Sequence, residues 1–454
     1  MSLRDDIDHA WEERALPVLA EYTRIECLSP AFDAGWSERG ALMEAARLLR
    51  DWVSAQDGSL HTEILQLPGR TPVLLVDNGK DDGGEGPVLV YGHMDKQPPL
   101  GTWRPGLSPF EPVREGDRLY GRGTGDDGYS CFAAVIGLLA AGGGRGRVVI
   151  LIEASEESGS PDLAAYVEHL GSRVGRPSLV VCLDSGAVSY DRLWLTASLR
   201  GNLVVSVKVE VLTEGIHSGA GGGVVPSSFR ILRRILSRIE DESSGAILLP
   251  ALLGAGIPPE HRANLSAVAE EFPDSAPPAV EGLHLLGSDQ AERLINKAWG
   301  PALEVTGMDG IPAVADGGNV LRPYTRAKFS LRLPPDVDAT AAAAALVAAI
   351  TTDEGAHVTI DMEPPASGFI AEPLSDDLRA RLARASEESF GRTYGSMGEG
   401  GTIPFLADLQ RAFAGVPIVA TGVLGPHSNA HGPNEFLHVP MAKAVTLAVA
   451  RLLA

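Results

Sequence analysis

Up to Gly186 the chain alternates two hydrophobic patterns. In "SERGALMEAARLLRDWVSA" (Ser37 to Ala55) apolar residues recur three and four apart, the spacing that gathers them on one face of a helix. In "TPVLLVD" (Thr71 to Asp77), "PVLVYGH" (Pro87 to His93), "RVVILIEAS" (Arg147 to Ser155) and "SLVVCLDSG" (Ser178 to Gly186) they run on without alternation. Such short runs predict strands, and strands with no polar face predict a sheet covered by helices on both sides. "GVPIVATGVLG" (Gly415 to Gly425) has the same character near the C-terminus.

Between these regions the texture changes. "NLVVSVKVEV" (Asn202 to Val211) and "RAKFSLRL" (Arg326 to Leu333) alternate apolar and polar residues, as strands with one wet face do. "SFRILRRILSRIE" (Ser228 to Glu240) and "DATAAAAALVAAI" (Asp338 to Ile350) read as amphipathic helices beside them. The expected organisation is an α/β domain, residues 1–197 and 367–454, interrupted by an α+β domain over 198–366. Within the insert, 241–310 is rich in proline and glycine and predicts no definite element.

Composition narrows the class. A chain of 454 residues exceeds what one core accommodates, and 44% hydrophobic with 21% charged residues is ordinary for a globular protein. The net charge of −21 argues against nucleic acid and anionic membrane surfaces as partners, and it favours cations near a cleft. Cys27, Cys131 and Cys182 are too scattered for a metal knuckle and odd in number, which fits a reducing compartment. No apolar stretch is long enough to span a bilayer, and the charged N-terminus has no signal-peptide pattern, so a cytoplasmic location is expected.

The chemistry sits where apolar runs stop. The run from Val88 ends at His93, with Asp95 two residues on. The run from Arg147 leads to Glu156 and Glu157, and the run from Ser178 to Asp184. The C-terminal run leads to His431, while "LYGRGTGDDGYS" sets Asp126 and Asp127 in a glycine-rich loop before an apolar helix. Taken singly, each is ordinary: a loop histidine, a helix cap, a solvated acid pair. Together, at the carboxyl ends of strands in an open α/β sheet, they lie where ligands bind, and their chemistry suits zinc or a similar divalent ion. Other signatures fail. "GRGTGDDG" has Asp126 where a dinucleotide loop needs glycine, and neither H-E-x-x-H nor G-x-S-x-G occurs.

At these residues the chain resembles the M20 family of dinuclear metallopeptidases, on its carnosinase-like dipeptidase branch. "GHMDKQP" resembles the family's G-H-x-D-x-x-P, and "LYGRGTGDDG" its Y-G-R-G-x-x-D-D-K-G. "EASEESGS" resembles E-x-x-E-E-x-G-S, "IHSG" the H-S-G of the inserted domain, and "AHGPNE" the final H-x-x-N-E. The resemblance covers essentially the whole chain. It implies a zinc-peptidase-like catalytic domain and a ferredoxin-like inserted domain that serves as lid and dimerisation module. It implies two divalent metal ions per chain, zinc first, with manganese or cobalt as alternatives. His93 and Asp184 would bind one ion, Glu157 and His431 the other, with Asp126 bridging both and joined to Asp127 by a cis peptide. Asp95 would orient the His93 ring. Glu156 would be the general base, taking a proton from a water between the metals. His217 would stabilise the oxyanion in the partner subunit's site. Arg332 would grip a terminal carboxylate, with Asn319 and Thr402 adding polar contacts to substrate.

The implied activity is hydrolysis of dipeptides or short peptides with a free C-terminal carboxylate, by a homodimer. N-deacylation of acyl amino acids is the alternative within the family, and a catalytically silent binding protein the alternative outside it. The chain departs from the pattern at Gly128-Tyr129, which replace Lys-Gly, at Lys96, where a small apolar residue is common, and at Ser227, where asparagine is frequent. His427 is a rival to His431, which is preferred because the Asn-Glu that follows it matches the family motif.

Overall fold

The computed structural model describes residues 2–272, 279–351 and 355–454. The chain divides into two compact units, one of Met1–Ala197, Ala371–Met397 and Asp408–Ala454, the other of Ser198–Ile370 and Gly398–Ala407.

The first unit is built on a mixed sheet. Its strands are β1 (His61–Leu65), β2 (Val73–Asp77), β3 (Val88–His93), β4 (Val148–Glu153) and β5 (Leu179–Cys182), closed by a last strand, Ile418–Ala420. The spatial order is β1, β2, β4, β3, β5 and the last strand. β1 and β2 run antiparallel, whereas β4, β3, β5 and the last strand are mutually parallel. Every residue of β4 and β5 is buried, as unalternated apolar runs require. The connection from β3 passes through α3 (Tyr129–Ala140) to β4, and the next passes through α4 (Leu163–Val174) to β5 on the other side of β3. The chain thus reverses direction across β3, and the crevice of an open sheet opens beyond the carboxyl ends of β3, β4 and β5.

Two more helices matter for the site. α1 (Leu16–Arg24) ends beside the carboxyl end of β3, and α2 (Ala41–Gln56) packs its Leu42, Leu49 and Val53 into the core. The periodicity of Ser37–Ala55 predicts one helix, but the chain makes a single turn, Trp36–Arg39, before α2. Gly40 separates them with a φ of 72°, a left-handed conformation that ends a helix without side-chain strain.

α3 is buried on all sides from Tyr129 to Leu138. Its N-terminus presses so closely on β3 that a Cβ on Gly92 would lie 2.2 Å from Ser130 Oγ and 2.7 Å from Asp127 Oδ2. The last residue before His93 must therefore have no side chain.

The second unit is an antiparallel sheet of β6 (Gly201–Glu210), β7 (Ala302–Asp309), β8 (Tyr324–Leu333) and β9 (His357–Met362), in the order β7, β8, β6, β9. Its helices are α5 (Ser228–Ile239), α6 (Pro259–Glu271), α7 (Gln290–Trp299) and α8 (Ala339–Ala349). Val205, Val207, Ala327 and Phe329 pack against Ile231 and Ile235 of α5 and Leu346 of α8. The alternate residues carry ion pairs such as Lys328–Glu363, at 2.6 Å. This is the one wet face that the alternation predicts.

α6, α7 and β7 fall in the stretch where no element is expected, and residues 273–278 of it lie outside the described residues. α6 buries only Leu265, Val268 and Ala269, too few to give a period, yet Pro259 opens it as proline commonly does. Asp289 caps α7 by accepting the Glu292 N–H at 2.9 Å.

Among the described residues no helix is long and apolar enough to cross a membrane. Cys27, Cys131 and Cys182 are buried free thiols.

Overpacking at the tight contact between β3 and α3 gives the first expected outcome. Gly92→Ala should lower the unfolding free energy by about 1–3 kcal/mol, read from urea denaturation. An unchanged midpoint would show that the contact can relax.

Candidate metal centre

His93 closes β3 and is buried, with its ring held from behind. Nδ1 donates to the Asp95 carbonyl at 3.1 Å, which leaves Nε2 as the ring atom that can offer a lone pair. Nε2 faces Asp126 Oδ1 at 3.4 Å, Asp184 Oδ2 at 3.8 Å and Glu156 Oε2 at 3.9 Å. None of these contacts is a hydrogen bond, so Nε2 is a buried polar atom without a partner. A buried nitrogen aimed into carboxylates suits a cation between them.

Asp95 lies further from the ring by its side chain than by its backbone, with Oδ1 3.4 Å from Nδ1. Its carboxylate instead accepts the backbone N–H groups of Glu156 at 3.1 Å and Glu157 at 3.0 Å. The acid after β3 thus fixes the loop after β4, where Glu156–Ser158 form a single 3₁₀ turn.

Asp126 and Asp127 are joined by a cis peptide. Asp127 Oδ2 accepts the His93 N–H at 3.1 Å, tying the glycine-rich loop to the end of β3. Asp126 turns the other way, with Oδ2 3.0 Å from His431 Nε2, and that nitrogen is 3.2 Å from Glu157 Oε2. Two groups result that could hold a metal ion, His93–Asp126–Asp184 and Asp126–Glu157–His431, with ligand atoms within 4.8 Å of one another in each. Asp126 belongs to both. His427 belongs to neither. The His431 side chain is 53% exposed whereas that of His93 is 0% exposed, so the site is open on one side only.

Three residues that sequence reasoning did not single out hold this arrangement. Glu435 and Arg122 form a fully buried ion pair. Glu435 Oε1 also accepts the Gly123 N–H at 2.8 Å, and Arg122 Nη2 donates to the Gly432 carbonyl at 3.1 Å. The pair clamps the loop bearing His431 to the loop bearing Asp126. Gln97 donates to Glu157 Oε2 at 2.8 Å and orients that carboxylate. A signal for the pair was present: Arg122 stands alone among glycines, and charged residues are buried only when paired.

In the metal-free protein these acids are out of their ordinary range. Burial and then Asp184 push Glu156 and Asp127 well up, and burial and then Asp126 push Glu157 up. Burial pushes Asp184 up to about 7, with His93 pulling against it. For Asp126 burial acts upward, but the facing rings of His431 and then His93 win and lower it. His431 is pushed up to about 11, because its bonds to Asp126 and Glu157 outweigh the downward effect of burial. The cluster holds more carboxyl groups than its two histidines can pair with, and without cations burial makes several of them favour the protonated form.

The remaining candidates lie in the second unit. Arg332, on β8, donates from Nη1 to Thr402 Oγ1 at 3.1 Å, and Thr402 Oγ1 donates to the Arg200 carbonyl at 2.6 Å. Among the described residues no carboxylate pairs with Arg332. His217 accepts the Gly219 N–H on Nδ1 at 3.1 Å, and the Asn319 carbonyl accepts the Ser218 N–H at 2.8 Å.

The raised Asp184 value has a consequence for stability. An unfolded carboxyl near 3.8 that becomes about 7 when folded opposes folding only once it ionises, so metal-free stability should fall as pH rises from about 4 through 7. Asp184→Asn, unfolded by urea in chelator at pH values across that window, is expected to show a smaller fall than the unaltered protein. Parallel profiles would exclude Asp184 as the source.

Residues 89–454 match the description of peptidase family M20/M25/M40. The chain is 26% identical over 411 residues to the cysteinylglycine-S-conjugate dipeptidase of Corynebacterium striatum, covering 87% of this chain and 88% of that one. It is 25% identical over 398 residues to the Beta-Ala-His dipeptidase of Homo sapiens, covering 82% and 76%. Its fold is similar to that of human carnosine dipeptidase 1, with a TM-score of 0.77 at 23% identity over 99% of this chain and 97% of that one. With the family match spanning the strand-end acids and the inserted unit, the chain belongs to peptidase family M20/M25/M40 and is a peptidase, a hydrolase of C–N bonds.

Proposed function

We propose that the first unit binds two divalent metal ions and that the chain hydrolyses dipeptides or short peptides bearing a free C-terminal carboxylate. The observation that carries the reading is the pair of acid–histidine groups sharing Asp126. His93 and Asp184 would hold one ion, Glu157 and His431 the other, and Asp126 both. Imidazole with carboxylate is a donor set that zinc accepts, and the unpartnered Nε2 of His93 supports the fit. When bound, the ions polarise the scissile carbonyl and acidify water.

Glu156 is the proton carrier. It belongs to neither ligand group, yet its carboxylate comes within 3.9 Å of His93 Nε2. Asp95 pins the backbone of Glu156 and Glu157 together, so adjacent glutamates can take separate tasks. Burial raises the proton affinity of Glu156, which suits a group that accepts a proton from the attacking water and hands it to the leaving nitrogen.

The second unit is proposed to be the lid and dimerisation module, residues 198–366 by the sequence boundaries. Arg332 would take the substrate carboxylate, since its guanidinium is oriented by Thr402 and, among the described residues, no acid pairs with it. His217, with Nδ1 accepting, presents Nε2–H as a donor for the oxyanion of the partner subunit's reaction. Asn319 adds a polar contact and holds the strand of His217 through Ser218. Dipeptides are favoured as substrates because the relatives described above are dipeptidases.

Glu156→Gln is expected to retain both metals and a KM close to normal while kcat falls by about 10²–10⁴-fold. Turnover near that of the unaltered protein would remove Glu156 from the reaction. A panel of dipeptides and N-acyl amino acids, run with metal analysis, tests the substrate class. Turnover of acyl amino acids alone would replace the dipeptidase reading.

A further inference from the structure

We propose that Lys96 is a positioning residue for the metal centre, a buried cation that locks the loops bearing His93 and Asp126 onto the end of α1. The proposal rests on the reading of those two residues as metal ligands.

Lys96 is 0% exposed, and among the described residues no carboxylate pairs with it. Its Nζ donates to the carbonyls of Tyr22 at 2.8 Å, Thr23 at 3.1 Å and Ile25 at 2.8 Å. An ammonium group has three protons to donate, so all are used. The acceptors close the last turn of α1, where the helix dipole is negative; the Tyr22 carbonyl also accepts the Ile25 N–H at 3.0 Å and the Ile25 carbonyl the Cys27 N–H at 2.9 Å, so the lysine adds a second donor there. All three of its hydrogen bonds go to backbone carbonyls.

The same side chain reaches both ligand loops. Nζ lies 4.1 Å from the centre of the Tyr22 ring, and Tyr22 Oη donates to the carbonyl of Met94, the residue after His93, at 2.8 Å. The aliphatic stem crosses Gly123, where a Cβ would stand 2.6 Å from Lys96 Cε. The Tyr22 ring lies against Gly128, where a Cβ would stand 2.3 Å from Cε1. Gly123 and Gly128 bracket Asp126 and Asp127, so one flank of that loop rests on the lysine and the other on the ring the lysine holds. The backbone of Lys96 is anchored too, donating to the Cys27 carbonyl at 3.0 Å and accepting the Ser29 N–H at 3.0 Å.

A lysine that only capped a helix could do so from the surface, with no loss of hydration. Burying it is costly, and the cost is explained if the cation also fixes what surrounds it. Without the charge, buried carbonyls lose a donor, the end of α1 loosens, and Tyr22 no longer holds Met94 or Gly128 in place.

Three variants of the full chain separate this role from a structural one: Lys96→Met, Tyr22→Phe and His93→Ala. Zinc affinity is read by competition with a chromophoric chelator, and thermal unfolding is followed in chelator without metal. Lys96→Met, which keeps the stem, is expected to fold and to bind zinc about 10–100-fold more weakly, with kcat reduced and KM for a dipeptide near normal. A lower metal-free midpoint with unchanged zinc affinity would make Lys96 a helix cap only and overturn the proposal. If Lys96→Met does not fold, Tyr22→Phe decides. It leaves the cap intact and removes the bond to Met94, so unchanged zinc affinity there overturns the proposal. His93→Ala is the control for the underlying reading. Loss of zinc in His93→Ala but not in the Lys96 and Tyr22 variants sinks only the positioning role, whereas zinc affinity unaffected by His93→Ala sinks the centre itself.

Discussion

Mutual repulsion of buried carboxylates is the constraint on which the first unit depends. Asp126, Glu156, Glu157 and Asp184 converge on His93 and His431 within a few ångströms, at the carboxyl ends of β3, β4 and β5. Two like charges about 4 Å apart repel by roughly 4 kcal/mol at an effective dielectric near 20. Nothing local would keep such loops together, so the scaffold must. The parallel strands bring three loop starts to one edge, and side chains from elsewhere then tie the loops to one another.

Those ties share a property that matters for function: none spends positive charge on the site. Arg122 is neutralised by Glu435, and the Lys96 ammonium is turned to the backbone carbonyls closing α1 rather than to the acids. Asp95 and Asp127 bind through backbone N–H groups. Among the described residues the only cationic side chains within ion-pair distance of Asp126, Glu157 and Asp184 are histidines, and Gln97, which also bonds Glu157, is uncharged. The loops are held while the cluster keeps its negative field for cations that are not part of the chain. Had a lysine or arginine been inserted among the acids, the loops would be as well fixed and the field would be gone.

How much of this was legible depended on whether the cause was local. β3, β4 and β5 are unbroken apolar runs, and the residues that end them are the ones that converge, because a strand end dictates where its next side chains go. Asp126 and His431 lie in loops with no period to read; they stood out by residue type beside a glycine-rich loop and an apolar run, and the motif resemblance supplied their roles. Gly40 splitting a predicted helix was visible as a glycine but not as a left-handed one. α6 was missed because it buries too few apolar residues to produce a period, whereas α7 carries Ala291, Leu294, Ile295, Ala298 and Trp299 at helical spacing and was passed over because the stretch around it is rich in proline and glycine. The resemblance implied Asp95 for the His93 ring; the fold sets its carbonyl against that ring and gives its carboxylate a further task that no local pattern shows, the loop after β4. Lys96 and Gly128 stood out only as departures. That they meet across the ring of Tyr22, far earlier in the chain, is a fact of tertiary packing no local pattern carries.

The two acid–histidine groups differ in how they are held, and the difference has a direction. His93 ends a buried strand and Asp184 follows another, so their positions are set by sheet register, with His93 opposite Glu153 and Tyr91 opposite Cys182. His431 sits on an open loop at a φ of 63°, with Asn429 and Asn434 also left-handed, and it reaches Asp126 because Arg122 and Glu435 hold the loop ends. The register-mounted group is preorganised by the core and shielded from water. The clamp-mounted group faces solvent, where a substrate can approach. Asp126 joins a group mounted on the sheet to one mounted on loops, and on the proposed reading a scissile bond would enter from the loop-mounted, solvent-facing side.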